Sequence, residues 1–374
     1  MIVGVPRESV QGERRVALVP ELVGKLTKAG LEVLLETGAG AAAGFLDPAY
    51  REVAARLEPG VFAQADILLK VQPPTPEEIG RIRDGAILIG FLQPYTNAAA
   101  IKALSTRRVT AFSMELMPRI TRAQSMDALS AMSTVSGYKA VLIAANHLPK
   151  FFPLLMTAAG TITPGRVFVI GAGVAGLQAI GTAKRLGAVV EAYDTRPVVK
   201  EQVESLGAKF VELGLETKDV EAKTGYAKAQ SEEFYEKQRQ MMTKSVSAAD
   251  VVISTALVPG KRAPVLITEE MVQSMRPGSV IVDLAAEQGG NCALTEPGQD
   301  VVKHGVFLCG PTNLPSTVPF HASQLYARTV TNYLLHLLKD GRVHLDLGDE
   351  LTRGPLVTHQ GEVVHEVAKA GGGS

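Results

Sequence analysis

The stretch RVFVIGAGVAGLQAIGTAKRLG, residues 166–187, decides the fold prediction because it joins an apolar run, three spaced glycines and a helical pattern. Gly171, Gly173 and Gly176 follow the run VFVI with the spacing G-x-G-x-x-G. The first glycine of such a pattern permits a tight turn, the second lets the backbone approach a phosphate, and the third lets helix and strand pack closely. The stretch therefore predicts a strand, a tight turn and a helix whose N-terminus binds an anion.

A carboxylate in the next apolar run, AVVEAYDT, extends this pattern. Asp194 closes that run eighteen residues after Gly176, where a carboxylate accepts the hydroxyls of a ribose. Together they predict a dinucleotide site that favours NAD(H), because the carboxylate repels the 2′-phosphate of NADP(H); Arg196, two residues further on, could weaken that preference. Two alternatives remain: glycines that serve only a tight turn, and an Asp194 that caps a helix. The residues predicted to bind the nucleotide here are Gly171, Gly173, Val174, Ala175, Gly176, Asp194 and Thr195.

The composition is that of an ordinary packed protein. The 374 residues are 46% hydrophobic and 20% charged, and this length exceeds the usual size of a single core, which predicts two domains. The 38 basic and 38 acidic residues cancel, so no overall charge favours nucleic acid or an acidic membrane surface. Cys292 and Cys309 are expected to be buried free thiols in a reducing compartment.

Neither a secretion signal nor a membrane span is predicted. The opening MIVGVPRE has no basic region followed by an apolar one, so we expect no signal peptide. The most apolar long stretch, residues 140–162, is interrupted by polar residues and prolines between Asn146 and Pro153. It therefore falls short of the roughly 20 consecutive apolar residues that cross a bilayer, and we expect no transmembrane segment in this chain.

Apolar β-branched runs alternate with helical patterns along most of the chain, which predicts α/β layers with parallel strands. One series occupies the N-terminal part, and a second begins at Arg166. Helical patterns at residues 130–150 and 323–339 connect the two series. We predict an α/β fold of two Rossmann-like domains with parallel sheets, linked by long helices, in which the first domain is discontinuous. The predicted ranges are 1–130 with 320–374 for the N-terminal domain, and 131–319 for the NAD(H)-binding domain.

In the first series the predicted strands are IVGV, EVLLET, ADILLKVQ, AILIGFL and VTAFSME, and the predicted helices are PELVGKLTKAG, DPAYREVAARL, PTPEEIGRIR and NAAAIKALSTRR. In the second series the strands after the glycine motif are AVVEAYDT, ADVVISTA, GSVIVDLA and GVFLCG. The charged stretch at residues 216–244 is an insertion into this second series.

With these residues in place, the sequence resembles, over nearly its whole length, the family that contains alanine dehydrogenase and the NAD(H)-binding component of proton-translocating NAD(P) transhydrogenase. Three stretches distinguish the two branches. In VPRESVQGERRVALVP and DILLKVQPP, Arg15 and Lys70 match the residues that hold the substrate carboxylate and carbonyl in alanine dehydrogenases, and a guanidinium suits a planar carboxylate. The alternative is an inherited ion pair that only stabilises the fold.

The second stretch, LIGFLQPYTN, carries Gln93 where alanine dehydrogenases have a histidine that acts as general acid and base. A glutamine amide cannot take and return a proton near neutral pH, as oxidative deamination requires. All seven histidines lie from His147 onward, so none replaces it in this part of the sequence. In VIVDLAAEQGGN, Glu287 stands where that branch has an aspartate. These differences disfavour amino-acid dehydrogenation.

The third stretch, PRITRAQSMDALS, closely resembles the transhydrogenase branch. The resemblance implies that Asp127 and Ser130 hydrogen-bond the carboxamide of the nicotinamide. It implies also that Arg119 orients the ring and neutralises nearby charge, and that Gln124 reaches the ribose of a second nucleotide. The alternative is an ordinary helix N-terminus with solvated polar residues.

A mobile loop is implied by KTGYAK, residues 223–228, which precedes the charged segment SEEFYEKQRQMM. Transhydrogenases have a Gly-Tyr pair here, matched by Gly225 and Tyr226, on a loop that closes over the nucleotide, and such lids gate many enzymes. A solvated helical hairpin is the alternative.

The strand end STALVPGKRAP also matches both branches. The resemblance implies that Thr255, Ala256 and Leu257 line the path from adenosine to nicotinamide, although packing alone would explain them as well.

The activity that the resemblance implies is direct hydride transfer from NADH to NADP+. No proton enters or leaves at the reacting carbons, so the site needs alignment and exclusion of water rather than an acid, a base, a nucleophile or a metal. The resemblance implies a homodimeric peripheral subunit on the cytoplasmic face of a membrane complex, and the chain itself has one dinucleotide motif and no predicted membrane span. The NADP(H)-binding and membrane-spanning parts are then other chains. The alternatives are an alanine dehydrogenase-like enzyme and a non-catalytic NAD(H)-binding subunit.

Overall fold

The computed structural model describes residues 1–212, 232–258 and 260–370. The chain divides into two compact units, Met1–Met132 with Pro315–Ser374, and Ser133–Leu314. It leaves the first unit inside the long helix Ala128–His147 and returns to it just before the long helix Pro319–His336.

An eight-stranded sheet forms the centre of the first unit. Its strands are β1 Ile2–Val5, β2 Glu32–Leu35, β3 Arg56–Leu57, β4 Ile67–Leu69, β5 Ile87–Gly90, β6 Thr110–Ser113, β18 Leu356–His359 and β19 Glu362–Val363. They lie in the order β3-β2-β1-β4-β5-β6-β18-β19. Strands β1 to β6 pair in parallel, whereas β18 runs antiparallel to both β6 and β19. The central strands are continuous apolar runs because both faces of the sheet are covered.

Helices and a small hairpin complete the first unit. They are α1 Pro20–Lys28, α2 Asp47–Glu52, α3 Val61–Gln64, α4 Pro76–Arg81, α5 Ala98–Thr106, α11 Pro319–His336, α12 Glu350–Arg353 and α13 Glu366–Ala370, with β16 Leu338–Lys339 and β17 Arg342–Val343. The sequence sets the start of α4 through a capping box, in which the Thr75 hydroxyl accepts the Glu78 N–H and the Glu78 carboxylate accepts the Thr75 N–H.

A seven-stranded sheet forms the centre of the second unit. Its strands are β9 Arg166–Ile170, β10 Val189–Tyr193, β11 Lys209–Phe210, β12 Val251–Ser254, β13 Val280–Asp283, β14 Asp300–Lys303 and β15 Val306–Cys309. They lie in the order β11-β10-β9-β12-β13-β15-β14, and all neighbours are parallel except β14 and β15. A separate two-stranded hairpin consists of β7 Leu155–Thr157 and β8 Gly160–Ile162.

The helices of this part of the chain are α6 Ala128–His147, which begins in the first unit, α7 Val174–Arg185, α8 Lys200–Ser205, α9 Glu232–Ala248 and α10 Glu269–Gln273. Short 3-10 segments occur at Ala41–Ala43, Met114–Leu116, Thr121–Met126, Pro197–Val199, Ala286–Gln288 and Leu314–Thr317.

These elements confirm the predicted α/β fold with two Rossmann-like domains, but the sheets are parallel-rich rather than purely parallel. In the second sheet, β14 and β15 are joined by His304 and Gly305, whose φ values are +52° and +77°. A two-residue connection with positive φ at both positions forces antiparallel pairing. Cys292 and Cys309 are buried and free, as predicted.

Two predicted helices have wrong bounds. The helix predicted over DPAYREVAARL ends at Glu52, because Ala54 adopts a φ of +64°, and Arg56–Leu57 instead forms β3 beside β2. The helix predicted at residues 323–339 begins earlier, since Pro319 supplies a favourable first position, and ends at His336 before the β16–β17 hairpin.

One helix in the described part of the chain, α6, is long and apolar enough to cross a bilayer by length and composition. Core helices of water-soluble proteins meet the same two criteria, so this is weak evidence. The second half of α6 packs in the core of the second unit, where Ala140, Val141 and Ala144 have no exposed surface.

Candidate functional site

Two of the three motif glycines, which lie between β9 and α7, are required by packing. Gly171 has a φ of +92°, which residues with a side chain rarely adopt, and its N–H donates to the Tyr193 carbonyl at 2.8 Å. A Cβ on Gly176 would lie 1.8 Å from the Gly171 carbonyl oxygen. Glycine at both positions therefore lets the helix start directly against the strand end.

The second motif glycine leaves open space beside the backbone. The nearest heavy atom to a Cβ on Gly173 would be a guanidinium nitrogen of Arg196, 4.0 Å away. Helix α7 begins at Val174, and its first internal hydrogen bond joins the Leu177 N–H to the Gly173 carbonyl at 2.8 Å. The N–H groups of residues 174–176 therefore precede the helical ladder. A helix N-terminus with free space beside its backbone suits the binding of a pyrophosphate.

A residue that the sequence analysis missed brings a second helix to this turn. A Cβ on Gly137 would lie 2.1 Å from the Ala175 carbonyl oxygen, so α6 contacts the first turn of α7 at backbone distance. A glycine inside a helix costs about 1 kcal/mol relative to alanine. Its presence inside a helical pattern was the one available signal of a close approach.

Asp194 lies at the end of β10, as the motif predicts. Its carboxylate accepts the Ala172 N–H at 2.8 Å and the Arg196 backbone N–H at 2.9 Å. The Arg196 guanidinium donates to both carboxylate oxygens, each at 3.0 Å. Thr195, between them, is half-buried. These contacts hold Asp194 against the glycine turn and do not cap a helix.

The strand end after β12 is attached to the same turn. The Thr255 hydroxyl donates to the Gly171 carbonyl at 3.1 Å. Ala256 makes two hydrogen bonds to the Asn291 side chain, through its N–H at 3.0 Å and its carbonyl at 2.8 Å. Leu257 is half-buried. These contacts bring Thr255 to the motif, and they also agree with the packing alternative.

Asp283, which the sequence analysis did not single out, supports this strand end from the neighbouring strand. Its buried carboxylate accepts the Asn291 N–H at 2.7 Å, the Ser254 hydroxyl at 2.9 Å and the Thr295 hydroxyl at 2.7 Å. An acidic residue that closes the apolar run VIVD was the available signal, the same one that marked Asp194.

Of the four polar residues predicted to surround the nicotinamide, two contact each other at the start of α6 and two are exposed. Asp127 caps the helix, because its carboxylate accepts the Ser130 N–H at 2.9 Å and the Ser130 hydroxyl at 2.5 Å. Both residues are half-buried, whereas Arg119 and Gln124 are exposed. The structure thus places Asp127 beside Ser130 and shows the helix N-terminus that was the alternative interpretation.

Arg15 and Lys70 are both buried in ion pairs within the first unit. Arg15 donates to the two carboxylate oxygens of Glu13 at 2.8 and 2.6 Å. The Lys70 Nζ lies 3.2 Å from a carboxylate oxygen of Glu8 and 3.4 Å from a carboxylate oxygen of Glu78. These partners support the fold-stabilising interpretation of the two cations.

The pKa values of two carboxyl groups in this cluster are shifted in opposite directions. Burial alone would raise the pKa of Glu13, but hydrogen bonds and charge from Arg15, with a hydrogen bond from Gln72, lower it to about 2. Burial outweighs the attraction of Lys70 at Glu8 and raises the pKa of that carboxyl.

Gln93 lies in a tight turn with a φ of +53° and an exposed side chain. Its N–H and that of Leu92 donate to the Glu115 carboxylate at 2.8 and 3.0 Å. Burial raises the pKa of Glu115, although hydrogen bonds from Ser113 and these N–H groups oppose it. In the second unit, the exposed Glu287 accepts the Asn313 N–H.

Gly225 and Tyr226 lie outside the described residues, so the loop they were assigned to stays a prediction. Within the described ranges, no group of three or more His, Cys, Asp or Glu side chains is arranged to hold a metal ion.

The chain matches both domains of one family and several of its members. The family descriptions "Alanine dehydrogenase/PNT, N-terminal domain" and "Alanine dehydrogenase/PNT, C-terminal domain" match residues 4–136 and 140–366. An NAD(P) transhydrogenase subunit alpha component of Rhodospirillum rubrum is 50% identical over 98% of each chain. The alanine dehydrogenase of Bacillus subtilis is 32% identical over 98% of this chain and 93% of its own.

A solved transhydrogenase structure is also similar to this chain. The crystal structure of transhydrogenase from Sinorhizobium meliloti has a TM-score of 0.87 to this chain at 42% identity, over 98% of this chain and 99% of that one. Identity is thus higher to these transhydrogenases than to the alanine dehydrogenase. The chain belongs to the alanine dehydrogenase/PNT family of oxidoreductases.

Proposed function

We propose that this chain is the NAD(H)-binding subunit of an NAD(P) transhydrogenase and takes part in hydride transfer between NADH and NADP+ held by a partner subunit. The observation that carries the proposal is the glycine turn, in which Gly171 and Gly176 are sterically required while Gly173 is open. A turn that served packing alone would have no need of a glycine at that open position.

In this proposal the second unit is the NAD(H)-binding domain and the first is the other Rossmann-like domain. The N–H groups at the start of α7 bind the pyrophosphate, and Asp194 accepts the hydroxyls of the adenosine ribose. Thr255, Ala256 and Leu257 line the path toward the nicotinamide. The predicted roles of Gly225 and Tyr226, in a loop that closes over the nucleotide, belong to the same proposal.

Asp127 and Ser130 are proposed to bind the nicotinamide carboxamide. The Ser130 hydroxyl donates its proton to Asp127, so the oxygens of both side chains are available to the ligand only as acceptors. A carboxamide NH2 has two N–H groups, which matches two acceptors on one helix start. Arg119 and Gln124, both exposed, are proposed to orient the ring and to reach the second nucleotide.

The bound nicotinamide supplies the hydride chemistry, so the residues of this chain only position it. Gln93 agrees with that division, because its amide is neither an acid nor a base near neutral pH. The alanine dehydrogenase alternative is less well supported, because Gln93 cannot transfer a proton. In addition, the two cations that would hold an amino-acid substrate, Arg15 and Lys70, form ion pairs with Glu13 and Glu8.

We also propose that the subunit is a homodimer on the cytoplasmic face of a membrane complex, with proton translocation in other, membrane-spanning subunits. The β7–β8 hairpin supports an association surface. Its strands are three residues long and stand alone, and an isolated hairpin is marginally stable in water. Leu154, Met156 and Ile162 are 51%, 77% and 42% exposed there, and clustered exposed apolar side chains mark association surfaces.

The test combines the purified chain with an NADP(H)-binding partner subunit. Oxidation of NADH is followed together with reduction of an NADP+ analogue whose absorbance is distinct, and L-alanine with NAD+ serves as the control. The proposal expects exchange that requires both proteins and no turnover of alanine. Turnover of alanine by the isolated chain would overturn it, and NADH binding without any exchange would leave only the non-catalytic alternative.

A further inference from the structure

The 3-10 segment Thr121–Met126, which carries Gln124 between β6 and α6, has little internal structure to hold it. It is six residues long, and 3-10 hydrogen bonds have poorer geometry than those of an α-helix. Two of its residues are buried, Ala123 and Met126, whereas Gln124 is exposed. The direction of the Gln124 side chain therefore depends on what fixes the backbone on either side of it.

An ion pair fixes the segment two residues before Gln124. A terminal nitrogen of the Arg122 guanidinium donates to one carboxylate oxygen of Asp349 at 2.9 Å. The Nε2 of His336 lies 2.8 Å from the other carboxylate oxygen. Burial alone would raise the pKa of Asp349, but hydrogen bonds from Arg122 and from the Leu351 N–H lower it. Asp349 is therefore charged near neutral pH and joins Arg122 to His336.

A second contact fixes the residue that follows Gln124. The side-chain amide of Asn332 donates to the Ser125 carbonyl at 3.0 Å. Asn332 and His336 lie four residues apart on α11, so they share one face of that helix. One contact thus comes from α11 directly and the other through Asp349. The backbone of Gln124 is held on both sides, while its own side chain is exposed.

These contacts contribute more to direction than to stability. The Arg122 side chain is 61% exposed and that of Asp349 is 17% exposed, and exposed ion pairs add little to the free energy of unfolding. The two hydrogen bonds span 227 and 207 residues of the chain. They attach a short exposed segment to the part of the first unit that follows Pro315, and they restrict that segment to one arrangement.

We infer that a clamp formed largely by the C-terminal part of the first unit positions Gln124 for hydride transfer. The clamp consists of Arg122, Asn332, His336 and Asp349. The inference rests on the proposed function, in which Gln124 reaches the second nucleotide, and it adds the residues that direct Gln124. They are positioning residues, which act through Gln124 rather than on either nucleotide. Because misplacement by about 1 Å is costly for reacting groups, the clamp speeds hydride transfer without adding NADH affinity.

The experiment measures hydride exchange at saturating NADH and saturating partner subunit, together with NADH affinity by nucleotide fluorescence. Arg122 is substituted rather than Asp349, because Asp349 also caps α12. Arg122→Gln is expected to slow saturated exchange by about twofold to fivefold, which corresponds to an ion pair of this exposure, and to leave NADH affinity unchanged. Arg122→Lys keeps the charge and is expected to restore part of the rate. Asn332→Ala, on the other side of Gln124, is expected to slow exchange as well.

Coupling to Gln124 separates a positioning role from a merely structural one. In the Gln124→Asn background the clamp has no correctly placed amide left to direct, so adding Arg122→Gln is expected to slow exchange no further. Two effects that multiply independently would overturn the inference. Arg83→Gln is the matched control, since Arg83 is 51% exposed and lies 2.7 Å from Asp66 in the same unit. It is expected to change neither saturated exchange nor NADH affinity.

Hydrogen–deuterium exchange tests the clamp without a partner or turnover. Peptides that cover residues 118–132 are expected to exchange faster in Arg122→Gln and in Asn332→Ala, because the segment opens more often, and at the usual rate in Arg83→Gln. Unchanged protection in both clamp variants would contradict the clamp. Thermal unfolding establishes that each variant is folded.

Failure of this inference is distinct from failure of the proposed function. An unaltered chain that transfers no hydride with its partner contradicts the proposed function, and deuterium exchange then decides on the clamp alone. An unaltered chain that transfers hydride, with an Arg122→Gln variant at the same saturated rate, contradicts only the role of the clamp.

Discussion

Gly137 on α6 lies against the backbone of Ala175 on α7, so closely that a Cβ at Gly137 would be 2.1 Å from the Ala175 carbonyl oxygen. Ala175 belongs to the first turn of the helix that we propose binds the pyrophosphate. The position of that turn therefore depends on a missing side chain in another helix.

Gly137→Ala tests this dependence. The added methyl group has to displace backbone, and overpacking of this kind lowers the free energy of unfolding by about 1–3 kcal/mol. We expect NADH affinity to fall as well, because the first turn of α7 moves. Urea unfolding and fluorescence titration measure the two effects.

The matched control is Gly181→Ala, inside α7 itself. There the nearest atom to a new Cβ is a Leu206 methyl carbon at 3.9 Å, so the substitution is expected to raise stability by about 0.5–1 kcal/mol through helix propensity. Equal effects of the two substitutions would contradict the role of the close contact.

Asp127→Asn separates helix capping from ligand binding. Asparagine caps helices about as well as aspartate, and its oxygen still accepts the Ser130 N–H, so the unfolding free energy should change by less than about 0.5 kcal/mol. Hydride exchange should fall about tenfold or more, since a hydrogen bond to a charged group contributes roughly 1.5–3 kcal/mol. Asp127→Ala should slow hydride exchange as well, and it should also lower the unfolding free energy by about 1 kcal/mol because the helix cap is lost. Full exchange in the asparagine variant would refute the carboxamide role.

Gln124→Asn shortens an exposed side chain by one methylene group. We expect unchanged NADH affinity and slower hydride exchange, by about tenfold, because misplacement by about 1 Å is costly for reacting groups. Thr121→Ser, at another exposed position of the same 3-10 segment, is expected to change neither quantity. Normal NADH binding together with full-rate exchange in Gln124→Asn would rule out a contact to the second nucleotide.

The Glu13–Arg15 pair predicts a pH dependence of stability. The folded-state pKa of Glu13 is about 2, against a usual 4.5. Stability from this carboxylate is therefore complete above pH 4.5 and is lost as the pH falls through 2, by about 3 kcal/mol in all. Glu8 cannot cause this loss, because its pKa is raised and protonation there favours the folded state.

Urea unfolding at pH 7 and at pH 3 measures the effect. In Glu13→Gln the loss of stability between these two values should be smaller than in the unaltered chain. Glu58→Gln is the control, since Arg56 also lowers the pKa of the Glu58 carboxyl. The Glu58 side chain is 40% exposed, and exposed ion pairs contribute little to the free energy of unfolding. An unchanged acid dependence in Glu13→Gln would show that other groups control it.

The glycine turn and Asp194 could be predicted because their requirements are local. A left-handed turn at Gly171 and a helix start at Val174 depend on a few adjacent residues, and the alternation of strand and helix then places Asp194 at the end of the next strand. The helix N-terminus at Asp127 and Ser130, which was the alternative interpretation of that stretch, is local in the same way.

The features that escaped prediction depend on residues distant in the sequence or on side-chain direction. The close approach at Gly137 needs α7, and the end of α2 depends on the positive φ of Ala54, which its alanine side chain does not signal. Whether Arg196 would point at solvent or back to Asp194 depends on the turn that joins them. The sequence pattern alone could not choose between these two directions of the Arg196 side chain.

The antiparallel strand β18 has a consequence for how the chain is made. Its partner β6 is synthesised early, but β18 leaves the ribosome only after all of Ser133–Leu314. That middle segment is continuous and can fold while synthesis continues, since domains generally fold as units. The first six strands must wait with the edge of β6 unpaired, and an unpaired edge invites aggregation. The nascent protein is therefore most exposed to misassembly, and most in need of a chaperone, in the half that begins to fold first.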